Sequence, residues 1–87
     1  MDNSTSHFGS VLKKLRNEQQ LSQEALADRC GLHPSYISLM ERNIKKPSLD
    51  TIMALAIGLE MKASEMLMEV EQHTENKWSK DDSDHQD

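Results

Sequence analysis

Aromatic residues are nearly absent from this chain. Its 87 residues include one Phe, one Tyr and one Trp, so a core must be assembled from Leu, Ile, Met and Ala. A single cysteine, Cys30, excludes an internal disulfide, and no set of Cys and His stands at the spacing of metal ligands. Placed directly before a glycine, Cys30 reads as a small buried thiol. The chain also lacks a nucleophile with a partnering base, paired acids and a glycine-rich phosphate loop. An enzyme is therefore the weakest of the function classes, and no cofactor, no metal and no small-molecule effector are expected. No apolar run is long enough to span a membrane, and the opening MDNSTSHFGS has neither the positive start nor the apolar middle of a signal peptide. These absences predict a cytoplasmic protein with no membrane partner. No repeat and no linker divide the chain, so one small domain has to pack economically.

Charge is present but unevenly placed. The formal net charge of −5 argues at first against a polyanionic partner. Yet Glu69, Glu71, Glu75, Asp81, Asp82, Asp84 and Asp87 face only Lys77 and Lys80, whereas residues 1–68 hold eight bases and eight acids. The acidity belongs to the end of the chain. Periodicity stops at about residue 73, and the polar composition of 73–87 predicts a disordered acidic tail whose charge serves solubility. Trp78 inside it docks on the body of the domain or on another protein, or stands there by chance. Residues 1–6 are predicted to be a flexible N-terminus, leaving 7–72 as the domain.

Within the domain, apolar residues recur with a helical period and no strand signal appears. Phe8, Val11, Leu12 and Leu15 predict a first helix from about His7 to Gln19, capped by Thr5 or Ser6. Gln23 to Arg29 and Pro34 to Glu41 give the second and third. Leu49, Ile52, Met53 and Ala56, widened by Leu55 and Leu59, predict a fourth helix from Leu49 to Ile57 that stops near Gly58. Ala63, Met66, Leu67 and Val70 predict a fifth that ends at about Gln72. The fold class is a compact all-α domain of five helices.

The stretch LSQEALADRCGLHPSYISLMERN, from Leu21 to Asn43, has the spacing of two short helices joined by a tight turn. Gly31 takes a left-handed turn, Pro34 fits a first helical position, and Ile37 and Met40 face inward. Together with Arg16, Leu21-Ser22-Gln23, Leu26-Ala27, Tyr36-Ile37-Ser38, Glu41-Arg42, Pro47 and Leu49, this stretch resembles the lambda-repressor-like or Cro-like (XRE) helix-turn-helix family, over about residues 8–68. The resemblance implies a sequence-specific regulator of transcription, a repressor or autoregulator, that binds double-stranded DNA and is nucleoid-associated when bound. The size and the Glu-Arg-Asn connector resemble restriction-modification controller proteins. An antitoxin of a toxin-antitoxin pair, or an interaction adaptor that keeps the fold without DNA, remains open.

Residue roles follow from chemistry and resemblance together. Ser22 caps the second helix, whose free amides suit a phosphate, and the family holds the DNA backbone with a glutamine at the position of Gln23. The outward residues His33, Pro34, Ser35, Ser38 and Leu39 include no Arg, Asn or Gln, the side chains that read guanine and adenine with two bonds. Arg42, Lys45 and Lys46 supply three cations just past the third helix. By resemblance, Arg42 and Asn43 hold phosphates, Lys45 reaches a base edge, and Tyr36 is both core and phosphate contact. Resemblance also pairs Arg16 with Glu41 in a structural ion pair between the first and third helices. A lone domain makes few phosphate contacts, so a homodimer on a palindromic operator is expected, with Ile57, Leu59, Met61, Met66, Met68 and Val70 as its apolar seam.

Overall fold

Most helices start where the chain supplies an oxygen for their first amides. In the computed structural model, which describes residues 7–73, these helices are α1 (Phe8–Glu18), α2 (Gln23–Cys30), α3 (Pro34–Glu41), α4 (Leu49–Gly58) and α5 (residues 63–73), with no strand among the described residues. Ser22 Oγ accepts from the Ala25 amide at 2.9 Å, and Ser48 Oγ accepts from that of Thr51 at 3.1 Å. At the start of α5, the Lys62 amide donates to Glu65 Oε1 at 2.9 Å, the reciprocal half of a capping box. α1 has no local cap. Its cap position is His7, which makes no side-chain cap bond, so the cap expected from Thr5 or Ser6 falls one or two residues too early. Residues 1–6, with that pair, and residues 74–87, with Trp78 and most of the acidic tail, lie outside the described residues.

α1 to α4 all end in one way. A residue with left-handed backbone follows, and the next amide reaches back to a carbonyl five residues earlier: Leu21 to Arg16, Leu32 to Ala27, Ile44 to Leu39 and Met61 to Ala56, at 2.9–3.1 Å. Only at Gly31 (φ 71°) is the left-handed residue a glycine; Gln20, Asn43 and Glu60 adopt φ of 58°, 61° and 59° at a cost of about 1 kcal/mol each. The closures turn the chain sharply and fix each connection. Gly58, the expected stop signal for α4, is instead its last helical residue. A side chain there would collide with Cys30 Sγ, so the glycine serves the contact of α2 with α4.

The core consists of Phe8, Val11, Leu12, Leu15, Leu26, Ala27, Ile37, Met40, Leu55, Ala56, Leu59 and Met66. Leu59 and Met66 thus sit inside the domain and have no surface for a second chain, which removes them from the expected dimer seam. Met61 and Val70 are half-buried against the same core. Ile57 and Met68 do face outward, at 74% and 54% exposure. The apolar pattern of α4 is wider than its inner face: Leu49 and Met53 are exposed, because on a helix whose apolar residues nearly encircle it only the half-buried Ile52, Leu55, Ala56 and the Leu59 that follows reach the core. Cys30 is half-buried rather than fully enclosed. Burial nonetheless pushes its thiol above the ordinary value, against weaker opposing effects of the Gly58 backbone and Arg29.

Candidate nucleic-acid interface

The seam between α1 and α3 is built around a charge pair. Arg16 Nε donates to Glu41 Oε2 at 2.6 Å and Arg16 Nη2 to Glu41 Oε1 at 3.0 Å, a two-pronged contact with the two side chains 11% and 4% exposed. Arg16 Nη1 also donates to the Leu21 carbonyl at 2.8 Å, and Gln23 Nε2 donates to Glu41 Oε1 at 3.0 Å. One carboxylate therefore fastens the end of α1, the start of α2 and the end of α3. The hydrogen bond to Glu41 holds the Arg16 guanidinium above its usual value despite burial.

A second tie lies two turns back along α1. The Gly9 amide donates to Asn43 Oδ1 at 3.1 Å, and α1 approaches so closely here that a Cβ on Gly9 would lie 2.5 Å from the Glu41 carbonyl and 2.7 Å from that of Met40. Asn43 takes the left-handed conformation that its type tolerates. Past it, the Ile44 and Lys45 amides both donate to the Leu39 carbonyl, at 2.9 and 3.3 Å. The connector is thus pinned to α3 for several residues. Arg42, Lys45 and Lys46 are exposed on it and make no ion pair among the described residues.

The expected contact residues fall into two groups. At the start of α2, Ser22 is the cap and the Gln23 side chain is half-buried on Glu41, so its amide nitrogen already has a partner inside the protein. The backbone amides of Gln23 and Glu24, at the head of α2, have no carbonyl within the helix to receive them. At the start of α3, His33 is the cap: its Nδ1 accepts from the Ser35 amide at 3.2 Å and lies 2.8 Å from Ser35 Oγ. His33 and Ser35 are exposed, whereas Pro34, Ser38 and Leu39 are half-buried. The half-buried Tyr36 places its hydroxyl 3.4 Å from Thr51 Oγ1. Asn43 has its side-chain oxygen turned onto Gly9, which leaves the Nδ2 amino group as its donor to any ligand.

Sequence reasoning passed over Gly9, Gln19 and Ile44. Gly9 carried a legible signal, a glycine placed inside a helix despite its cost of about 0.5–1 kcal/mol against Ala. Gln19 Nε2 donates to the Leu59 carbonyl at 2.7 Å, and Arg29 bridges Gln19 Oε1 and the Gly58 carbonyl at 3.4 and 3.3 Å. Nothing local in the sequence announces that link. Among the described residues no three His, Cys, Asp or Glu side chains come together as metal ligands would, and no helix is long and apolar enough to cross a membrane.

Comparison with known proteins agrees with this architecture. The family described as Helix-turn-helix matches residues 12–66. The control protein C.BamHI of Bacillus amyloliquefaciens is 36% identical over 61 residues, covering 69% of this chain and 75% of its own. The control protein C.MunI of a Mycoplasma species is 37% identical over 65 residues, covering 74% and 88%. Among solved structures, the restriction-modification controller protein C.AhdI of Aeromonas hydrophila superposes with a TM-score of 0.69 at 39% identity, covering 71% of this chain and 94% of that one. The family is a group of DNA-binding regulators and not an enzyme class. Two short helices in the order and spacing of α2 and α3, the second of them fastened to α1 by a buried ion pair, and a match over most of the domain establish that this chain belongs to the helix-turn-helix family of DNA-binding transcription regulators.

Proposed function

We propose that this chain is a repressor or autoregulator of the controller type that binds a palindromic operator as a homodimer. The observation that carries the reading is the connector of α3: three exposed cations, without ion-pair partners among the described residues, on a backbone held in place by Asn43 and by two amides on the Leu39 carbonyl. Cations on a pinned backbone beside a helix pair bind a polyanion without first paying to order the loop that carries them. Arg42 and Lys46 take phosphates and Lys45 reaches a guanine edge. Asn43 adds a phosphate bond through Nδ2, and the head of α2 grips another through its Gln23 and Glu24 amides, with Ser22 at its rim. Tyr36 reaches a further phosphate through its hydroxyl. His33, Pro34, Ser35, Ser38 and Leu39 meet the groove with small or apolar contacts, so part of the discrimination comes from DNA shape.

The second protomer docks on the outer side of α4 and α5. Ile57 and Met68 supply its centre, Met61 and Val70 its half-buried edge, and Leu49 and Met53 extend it along α4. Dimerisation doubles the phosphate contacts and so raises the affinity that one small domain lacks at cellular salt, while making it steeper in salt. The protein acts in the cytoplasm, on the nucleoid. Selection of bound sequences from a random DNA pool tests the reading: the expected product is an inverted repeat with half-sites about 34 Å apart. A single, unrepeated half-site would sink the dimer, and a pool that never departs from random would sink operator binding.

A further inference from the structure

The closures that end α1 to α4 share a pattern in which one member departs. In each, the residue whose amide reaches back is apolar: Leu21, Leu32, Ile44 and Met61. Such a residue ordinarily packs onto the helix it terminates. Leu21, Leu32 and Met61 do so, half-buried against the core. Ile44 does not, and remains 60% exposed. Its backbone is no looser than the others, since its amide bond to the Leu39 carbonyl is 2.9 Å long and Lys45 shares that acceptor. The chain therefore holds a β-branched side chain, stiff at χ1, out into solvent at a fixed point.

The surroundings state what that side chain meets. Arg42 stands two residues before it and Lys45 and Lys46 directly after it, all exposed and without ion-pair partners among the described residues. Cations on both sides draw the connector onto a polyanion, and the one apolar group among them then lies against the duplex. Isoleucine has no donor or acceptor. The feature of the major groove it complements is the C5-methyl group of thymine, which distinguishes a T·A pair at that point from the other three.

We infer that Ile44 is a specificity-determining residue that packs on a thymine methyl group in each half-site. The assignment rests on the operator reading above, and it supplies some of the discrimination that the short side chains of α3 do not.

The test couples Ile44→Ala to removal of the methyl group from DNA. On the selected operator, Ile44→Ala is expected to weaken binding about three- to fivefold per half-site, the scale of one buried methyl group. Replacing one thymine of each half-site by uracil should weaken the unsubstituted protein by the same factor and leave Ile44→Ala unaffected. An unchanged affinity for Ile44→Ala overturns the assignment, as does equal sensitivity of both proteins to every uracil replacement. Dissociation of Ile44→Ala into monomers in sedimentation experiments without DNA, with no uracil coupling, would place Ile44 in the protomer seam and also overturn it. Failure of the unsubstituted protein to prefer its operator over random duplex removes the operator reading and this assignment together, a result distinct from loss of coupling on a bound site.

Discussion

The two ends of α3 are built in different ways. At its start, the partners of His33 and Ser35 lie within two residues of each other, so that end is organised by its own neighbours. At its finish, Glu41 meets Arg16 across 25 residues and Asn43 meets Gly9 across 34. Long-range ties at the second end fix the helix against the rest of the domain, and the exposed cations Arg42, Lys45 and Lys46 sit there too. Rigidity and charge coincide at the finish of α3, while its start offers short side chains with modest reach. The implication is that the finish sets where the protein sits on DNA, and the start refines the fit.

The largest break in that contrast comes from the clamp. Glu41→Ala strands the Arg16 guanidinium in a nearly buried place and is expected to destabilise the fold by about 3–5 kcal/mol. The double variant Arg16→Leu/Glu41→Leu leaves no buried charge and should recover part of the loss, even though Gln23 and the Leu21 carbonyl lose a partner. Urea midpoints of the three proteins decide the matter. If the double variant were less stable than Glu41→Ala, the pair would be adding net stability beyond avoiding a stranded charge.

Gly9→Ala attacks the second tie. The added Cβ meets backbone carbonyls that cannot rotate away, so α1 must shift off the end of α3, at a cost of about 1–3 kcal/mol. Backbone amide resonances of residues 42–46 should move with it, while those of 33–35 stay. Movement confined to α1 would show that the connector is held by α3 alone.

How far the sequence disclosed this arrangement differs between local and distant features. Ser22, Ser48 and Gly31 announce helix limits because a cap or a left-handed turn is decided within a few residues. α3 begins and ends where its proline and its apolar spacing put it. The Arg16–Glu41 pair was legible only through family resemblance, since nothing in the spacing of two charges 25 residues apart brings them together. The Gly9–Asn43 approach needed coordinates, as did the division of methionines and leucines between core and surface. On α4 and α5, where apolar residues exceed what one core holds, a pattern names candidates, and packing alone chooses Leu59 and Met66 over Ile57 and Met68.

Charge at the connector can be set against the small side chains of α3. Lys45→Ala should weaken operator binding by about 1–3 kcal/mol and relax the preference at the guanine it meets, whereas Lys46→Ala, at a phosphate, should lower the salt slope by about one unit. Ser35→Ala, which removes a hydroxyl already close to His33, should cost less than about 1 kcal/mol and leave the slope alone. Titrations at several salt concentrations give both quantities. A larger loss for Ser35→Ala than for Lys45→Ala would reverse the roles assigned to the two ends.

The smallest effect separates the clamp from the seam between α2 and α4 by pH. The hydrogen bond to Glu41 holds the Arg16 guanidinium above its ordinary value, so the clamp keeps its charge and its contribution throughout the usable alkaline range. Lys14, paired with Glu69 at the surface, is likewise raised above 10.5. Cys30 differs in cause and in onset: burial disfavours its ionised form, so its raised value adds a penalty at high pH where that of Lys14 withdraws a stabilisation. Below the ordinary thiol value of 9.0 folded and unfolded chains both keep the proton and nothing is lost. As pH rises past 9.0 the unfolded thiol ionises first, the folded one resists, and stability falls until the folded thiol also ionises. Urea midpoints should therefore be level to about pH 9 and decline gently between there and 10.5, where Lys14 has not begun to contribute. Cys30→Ala should remove the decline while lowering the plateau slightly, through the packing lost beside Gly58. A decline of equal slope in Cys30→Ala would assign the alkaline sensitivity to some other group and show the seam around Cys30 to be as indifferent to pH as the clamp.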